Sequence, residues 1–284
     1  MDYSTTCITN IYNEEYLLPF WLNHHKNMFD NFIIIDHHST DNSINICKEI
    51  IPTCNIIKHP SREFASKDHD IYLMKLERAI NGIKIILNTT EFLFCNVTIK
   101  QLFKLYANNH TNYSLQIPVI SPYSSNKYYP KNNYELLYNL KNKDVVFHYD
   151  REGGRYIHNY SDGNYEIGRH WTYHNFKKTK EMIIIWFGFY PFNDKLLTRK
   201  LQVKDKIPER DKIPKPGFPR GFGWQHFLNK NTLIDINTNK SKSGVSILET
   251  KNKEIKHINV FNFILKHIID LSVDSSINLS HFYK

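Results

Sequence analysis

Of the chain's 284 residues, 41% are hydrophobic and 14% aromatic, enough to bury the core of one large α/β domain, with or without a C-terminal extension, and too many for intrinsic disorder. The formal charge of +9 favours phosphorylated or membrane-surface partners, nucleotides included, but the lysine-rich stretches 177–180, 195–215 and 251–256 belong to no nucleic-acid-binding module, so no nucleic-acid partner is expected. No apolar run reaches the roughly 18 residues that suggest a transmembrane helix, so no membrane-spanning segment is expected.

In chain order the hydrophobic pattern predicts strand 5–11, helix 14–29, strand 32–36, helix 41–51, strand 54–59, helix 68–81, strand 83–88, helix 98–109 and strand 113–120. Strands alternating with helices predict a parallel, doubly wound sheet, and near-continuous apolar strands suit a sheet covered on both faces. Beyond residue 120 the rhythm changes. Residues 121–133 read as a Tyr-rich loop, 144–149 and 155–158 as strands around Glu152-Gly-Gly154, 182–189 as an apolar strand and 193–204 as a short basic helix. Residues 207–223, with four prolines and three glycines, read as a loop or lid that orders on ligand binding, and 259–271 as a helix.

Both early strands end on polar residues: Asn10, Tyr12 and Asn13 for the first, Asp36 for the second. Ligands of open parallel sheets bind outside the carboxyl ends of strands, so these residues predict a nucleotide pocket. Ser39, Thr40, Asp41 and Asn42 also suit a helix cap, which leaves Asp36 and Asp41 with two readings each, ligand contact or capping. His25, in mid-helix, reads as a structural residue bonding across to the sheet. His37 and His38 are either ligand contacts or exposed loop imidazoles. The cysteines Cys7, Cys47, Cys54 and Cys95 form no C-x-x-C pair and read as buried residues of a reducing compartment. Met1-Asp-Tyr-Ser lacks the basic start and apolar core of a signal peptide, so a cytoplasmic location is expected.

The pattern Asn13-Glu14-Glu15-x-x-Leu18-x-x-Trp21-Leu22-x-x-His25, an apolar strand, then Asp36-x-x-Ser39-Thr40-Asp41-x-Ser43 resembles the start of family 2 glycosyltransferases over about the first 95 residues. The resemblance implies a GT-A (Rossmann-like) fold with a mostly parallel sheet, helices on both faces and a C-terminal extension. It implies a nucleotide-sugar-binding half over 1–120, an acceptor-side half with the lid over 121–230 and an extension over 231–284, in one compact unit. It places a nucleotide-sugar donor at Asn10, Tyr12, Asn13, Glu14, Asp36, Ser39 and Glu91. His37, standing where the family has an acid or Asn, is a further donor contact on one of its two readings, and Arg155 and Arg169 are expected at the donor as well.

The chain departs from the family at Ile85-Ile-Leu-Asn88-Thr89-Thr90-Glu91-Phe92. The family has Asp-x-Asp-Glu-Phe there, and its aspartates hold a divalent cation that stabilises the leaving group. Asn and Thr are poor ligands for a hard cation. Three readings follow: Mn2+ or Mg2+ held by Glu91 and His170, metal-independent transfer with arginines neutralising the phosphates, or lost activity. Arg151, Arg155 and Arg169 flank the Gly-rich turn, and guanidinium suits phosphate. An inverting transfer needs a general base, for which Asp150, Glu152, Asp162 and Glu166 are candidates and Asp150 the preferred one. The expected function is therefore a hexosyltransferase of inverting type, acting on a glycan or a lipid- or protein-linked sugar with weak or no metal dependence. The alternative is a degenerate GT-A protein that binds nucleotide or glycan without transfer.

Overall fold

A computed structural model describes residues 3–106, 112–149, 153–214, 216, 221, 228–246, 249, 260 and 262–267. The N-terminal part alternates as expected: β1 (Thr5–Ile11), α1 (Leu18–His25), β2 (Asn31–Asp36), α2 (Ser43–Ile50), β3 (Asn55–Lys58), α3 (Ser66–Glu77) and β4 (Ile83–Ile86). β1 pairs in parallel with β2 and β4, and β2 with β3; the register sets Ile11 beside Asp36 and Asp36 beside Lys58, so these strand ends are level.

The remaining strands and helices are β5 (Glu91–Cys95), α4 (Ile99–Tyr106), β6 (Ser114–Ile117), β7 (Val119–Tyr123), α5 (Asn133–Tyr138), β8 (Val146–Tyr149), β9 (Arg155–His158), β10 (Phe176–Lys178), β11 (Met182–Trp186), α6 (Asp194–Leu201), α7 (Glu209–Lys212), α8 (Lys230–Ser241) and β12 (Val245–Ser246). Among the described residues they complete two sheets. The first has seven strands in the order β10-β6-β9-β4-β1-β2-β3, in which only β9 runs against the others. The second has five in the order β12-β8-β7-β11-β5 and is mixed. One apolar core joins them: Cys7 and Ile85 of the first sheet cluster with Phe92 and Ile184 of the second and with Trp21 of α1. Burying such side chains stabilises by about 1.5–3 kcal/mol each.

The structure corrects several expectations. The single strand expected at 113–120 is two strands in different sheets, separated at Pro118, which has no N–H to continue a ladder. The second sheet, with β5 and β12, was not foreseen, nor were β10 and α8. The expected helix 14–29 is shorter: Asn13 has a left-handed backbone (φ 50°) and α1 begins at Leu18. The Tyr-rich stretch 121–133 continues as strand to Tyr123 and leads into α5, whose cap Asn132 accepts from the Glu135 N–H. Of the expected helix 259–271, residues 260 and 262–267 are helical, and of the expected lid 207–223, residues 209–212 form α7.

Helix α1 is bonded side-on to β5, the last strand of the second sheet. Trp21 Nε1–H donates to the Glu91 carbonyl (2.9 Å) and His24 Nε2–H to the Leu93 carbonyl (2.6 Å). Leu93 N–H donates to His25 Nε2 (3.0 Å), so the other ring nitrogen of His25 carries the proton and donates to the Trp21 carbonyl (2.8 Å). Burial, the charge of His267 adding to it, pulls the His25 pKa down to about 3, although the Trp21 bond opposes the fall.

Candidate functional site

A cavity of about 300 Å3 opens where β1 and β4 end. Its floor is the segment after β4, Asn88 to Glu91, and its walls come from α3, β9, the loop 167–170 and α6. Glu91 opens β5 with its carboxylate buried. Arg155 Nε donates to both its oxygens (2.9 and 3.0 Å) and Nη2 to Oε1 (2.6 Å), while the Asn88 N–H donates to Oε2 (2.8 Å). Burial alone would raise the Glu91 pKa. The charge and hydrogen bonds of Arg155, the Asn88 N–H and the charge of Arg169 together outweigh it and hold the carboxyl below its ordinary range.

Arg155 also reaches the facing loop: Nη1 donates to the carbonyls of Gly168 (2.7 Å) and Arg169 (2.9 Å) and meets His170 Nδ1 at 2.9 Å. Two glycines permit this approach. A Cβ on Gly153 would lie 2.3 Å from the His170 carbonyl oxygen, and Gly168 turns the loop at φ +85°. Arg169 pairs with Asp70 of α3 and donates from Nη2 to Asn88 Oδ1 (3.0 Å); Asp70 also accepts from the Gly168 N–H (2.6 Å). Arg199 of α6 grips Glu14 with Nε and Nη2, and Nη2 donates to Thr89 Oγ1 (3.0 Å). Burial keeps the Glu14 carboxyl above its ordinary range, with Arg199 pulling against it. Lys200 is buried beside the rings of Phe189 and Trp186. Among the described lining residues, four fixed cations (Arg155, Arg169, Arg199, Lys200) meet three carboxylates (Glu14, Asp70, Glu91).

These donors do not fit a divalent cation. Of the two residues expected to hold one, Glu91 spends both oxygens on Arg155 and on the Asn88 N–H, and His170 turns Nδ1 to the same guanidinium. The Asn88 side-chain oxygen accepts from Arg169. A hard cation wants charged oxygens, and the one carboxylate of the motif already has a cationic partner.

The other expected site residues divide. Asn10, Tyr12 and Glu14 line the cavity with Glu91, Arg155, Arg169 and His170. Asn10 Oδ1 is buried without a hydrogen-bond partner, and the Tyr12 ring lies under Lys206 Nζ, 3.3 Å from its centroid. Asn13, Asp36, His37 and Ser39 are not among the lining residues. Asn13 bonds Ser39 and Thr40, and Asp36 Oδ1 accepts from the Ser39 N–H (2.8 Å), so these groups hold the turn after β2. Asp41 accepts from the N–H groups of Ser43 and Glu15, in keeping with its capping reading. His37 is fully buried, not an exposed loop imidazole. Asp150 lies outside the described residues, with Arg151 and Glu152. Asp162 pairs with Arg78 (2.7 Å) and Glu166 is exposed, and neither lines the cavity. Residues not anticipated here are His69, Asp70, Arg199 and Lys200. Their signal was buried polar positions on helices: His69, Asp70, Leu73 and Glu77 recur on the buried face of α3.

No protein-family model matches this chain, and no curated protein matches it. Its solved neighbours include a 1–349 fragment of S. aureus TarS with UDP (16% identity, 45% of this chain, 38% of that one, TM-score 0.32). Another is glucosyl-3-phosphoglycerate synthase from Mycobacterium tuberculosis with Mn2+ and UDP-glucose (12% identity, 41% of this chain, 44% of that one, TM-score 0.30). The matched part therefore spans less than half of either neighbour, and superpositions this loose carry no weight for chemistry.

Proposed function

We propose that the chain is a glycosyltransferase of GT-A type whose cavity takes a nucleotide-sugar and neutralises the diphosphate with guanidinium groups, needing no divalent cation. The observation that carries this reading is Arg155, buried where a metal was expected and contacting both Glu91 and His170. In transfer, the acceptor hydroxyl oxygen bonds to the anomeric carbon while the bond from that carbon to the diphosphate oxygen breaks. The nucleoside diphosphate leaves with the electron pair, and its growing charge is met by Arg155, Arg169 and Arg199. The hydroxyl proton passes to a base. Every described carboxylate lining the cavity is in an ion pair, so Asp150, next after β8, stays the candidate for an inverting reaction. The acceptor class is a glycan or a lipid- or protein-linked sugar.

One observation favours a second reading, a non-catalytic binder. The three cavity guanidiniums already have carboxylate partners, against which a diphosphate must compete. A thermal-shift panel of nucleotide-sugars, with manganese and with a chelator, tests both, because a ligand of the native state raises Tm by mass action. The expected result is a shift that chelation leaves unchanged. A hundredfold loss of donor affinity on chelation would overturn the metal-free reading. Sugar transfer or donor hydrolysis by a bound hit separates enzyme from binder.

A further inference from the structure

Three histidines form a buried cluster beside the cavity. The register of β2 and β3 sets Asp36 opposite Lys58, so the next residues, His37 and His59, leave the sheet side by side. Their rings stack at 3.9 Å between centroids. α3 brings His69 against them, its ring 4.9 Å from that of His37 and 5.5 Å from that of His59. One ring nitrogen from each residue lies within 4.8 Å of one from each of the others.

The cluster is underbonded for its burial. His37, His59 and His69 are 0, 4 and 4% exposed. His37 Nε2 and His69 Nδ1 face each other at 3.0 Å, and His59 Nδ1–H donates to the Ser61 carbonyl (3.0 Å), which leaves the His59 Nε2 lone pair free. The other three nitrogens, His37 Nδ1, His59 Nε2 and His69 Nε2, are buried without a hydrogen-bond partner. Buried polar atoms are seldom left unpaired, and each such group calls for an explanation.

We propose that His37, His59 and His69 form a binding site for a borderline divalent transition metal, zinc foremost. Imidazole suits such ions and not magnesium or calcium, and three histidines with one further position for water or an anion is a known zinc arrangement. Zinc–nitrogen bonds of about 2.0–2.1 Å require the widest nitrogen separations to close by about 1–1.5 Å, within reach of ring rotation. The ion would tie the ends of β2 and β3 to α3, the helix whose Asp70 holds Arg169. The site is separate from the Glu91 motif and stands whether or not the cavity takes a nucleotide-sugar.

The test uses the untagged full chain, stripped with a chelator and titrated with cobalt as a spectroscopic probe. The expected result is one equivalent giving the intense visible bands of tetrahedral cobalt, without thiolate charge-transfer bands, displaced by zinc. Zinc should raise Tm where magnesium does not. His59→Ala should lower zinc affinity by at least about a hundredfold, above the 10- to 100-fold that outer-shell changes cause. Only weak octahedral bands in the unmodified chain, or a zinc-induced Tm rise equal in His59→Ala, would overturn the site. The cobalt spectrum of the unmodified chain decides the matter even where the variant fails to fold.

Discussion

Replacing Arg155 by Met removes a guanidinium that is 3% exposed and leaves the Glu91 carboxylate buried with two neutral donors, the backbone N–H and the side-chain amide of Asn88. The lost partner is bidentate, and three acceptors in the facing loop, the carbonyls of Gly168 and Arg169 and His170 Nδ1, lose their donor too. Breaking a buried pair from one side costs about 3–5 kcal/mol. For 284 residues the unfolding entropy is about 0.6 kcal/mol/K, so Tm should fall by about 5–8 °C in calorimetry. Glu91→Gln combined with Arg155→Met removes the orphaned charge and should recover at least about 1 kcal/mol relative to the single variant. The pH dependence has a definite sign. In the unmodified chain the Glu91 pKa is depressed, so its contribution is present above the unfolded carboxyl pKa and is lost as pH falls through the folded value. In Arg155→Met burial acts unopposed by that charge, the pKa rises, and the penalty is relieved by protonation as pH falls. The stability gap between the two proteins should therefore narrow below about pH 5. A Tm loss under about 2 °C, or two substitutions whose costs simply add, would refute a buried, coupled pair.

Three further outcomes follow from the packing. His25 has its pKa lowered to about 3 and His24 well below its ordinary value, both chiefly by burial, so the unfolded chain takes up protons that the fold refuses as pH drops below about 6.5. Urea unfolding at pH 5.5 should therefore show at least about 2.5 kcal/mol less stability than at pH 7, and a flat profile would contradict their burial. Trp21→Phe keeps the ring but strips the donor from the Glu91 carbonyl, and should cost about 1–3 kcal/mol in the same assay; an unchanged midpoint would mean the bond contributes nothing. The segment after α6 is tied to the start of α3 and the chain before it by Phe64 N–H to the Lys206 carbonyl (2.8 Å) and Ser66 N–H to Asp211 (3.1 Å). Asp211→Asn should speed exchange of the Ser66 amide, and nucleotide binding should slow it; rates that ignore both would detach this segment from the cavity.

The N-terminal alternation was legible because each element is an uninterrupted periodic run, and polar residues at apolar strand ends are a local signal. The structural role of His25 was legible too, since an imidazole in an otherwise apolar amphipathic helix must find a partner. Arg155 and Arg169 stood out as cations flanking a Gly-Gly turn. What they bond to did not, because Glu91 is 64 residues from Arg155 and Asp70 is 99 from Arg169. β5 was hidden because Glu91 to Cys95 is short, wholly apolar after its first residue and indistinguishable by period from its surroundings. Pro118 lies at the break between β6 and β7, yet the expected strand 113–120 ran through it, because nothing local says that the chain changes sheets there. The His37, His59 and His69 cluster needs the register of β2 with β3 before it exists at all.

The side-on docking of α1 has a consequence for self-association. Among the described strands β5 is the outermost of its sheet, five residues long and apolar after Glu91, the kind of border on which another chain's strand can add. Trp21, His24 and His25 engage the Glu91 carbonyl and both backbone groups of Leu93, so the row is sealed by side chains where a further strand would otherwise lie. A helix used in this way guards the border only while its histidines stay neutral. Mild acid, by charging His24 and His25 once the helix lifts, would expose a strand ready to pair with a second copy of itself.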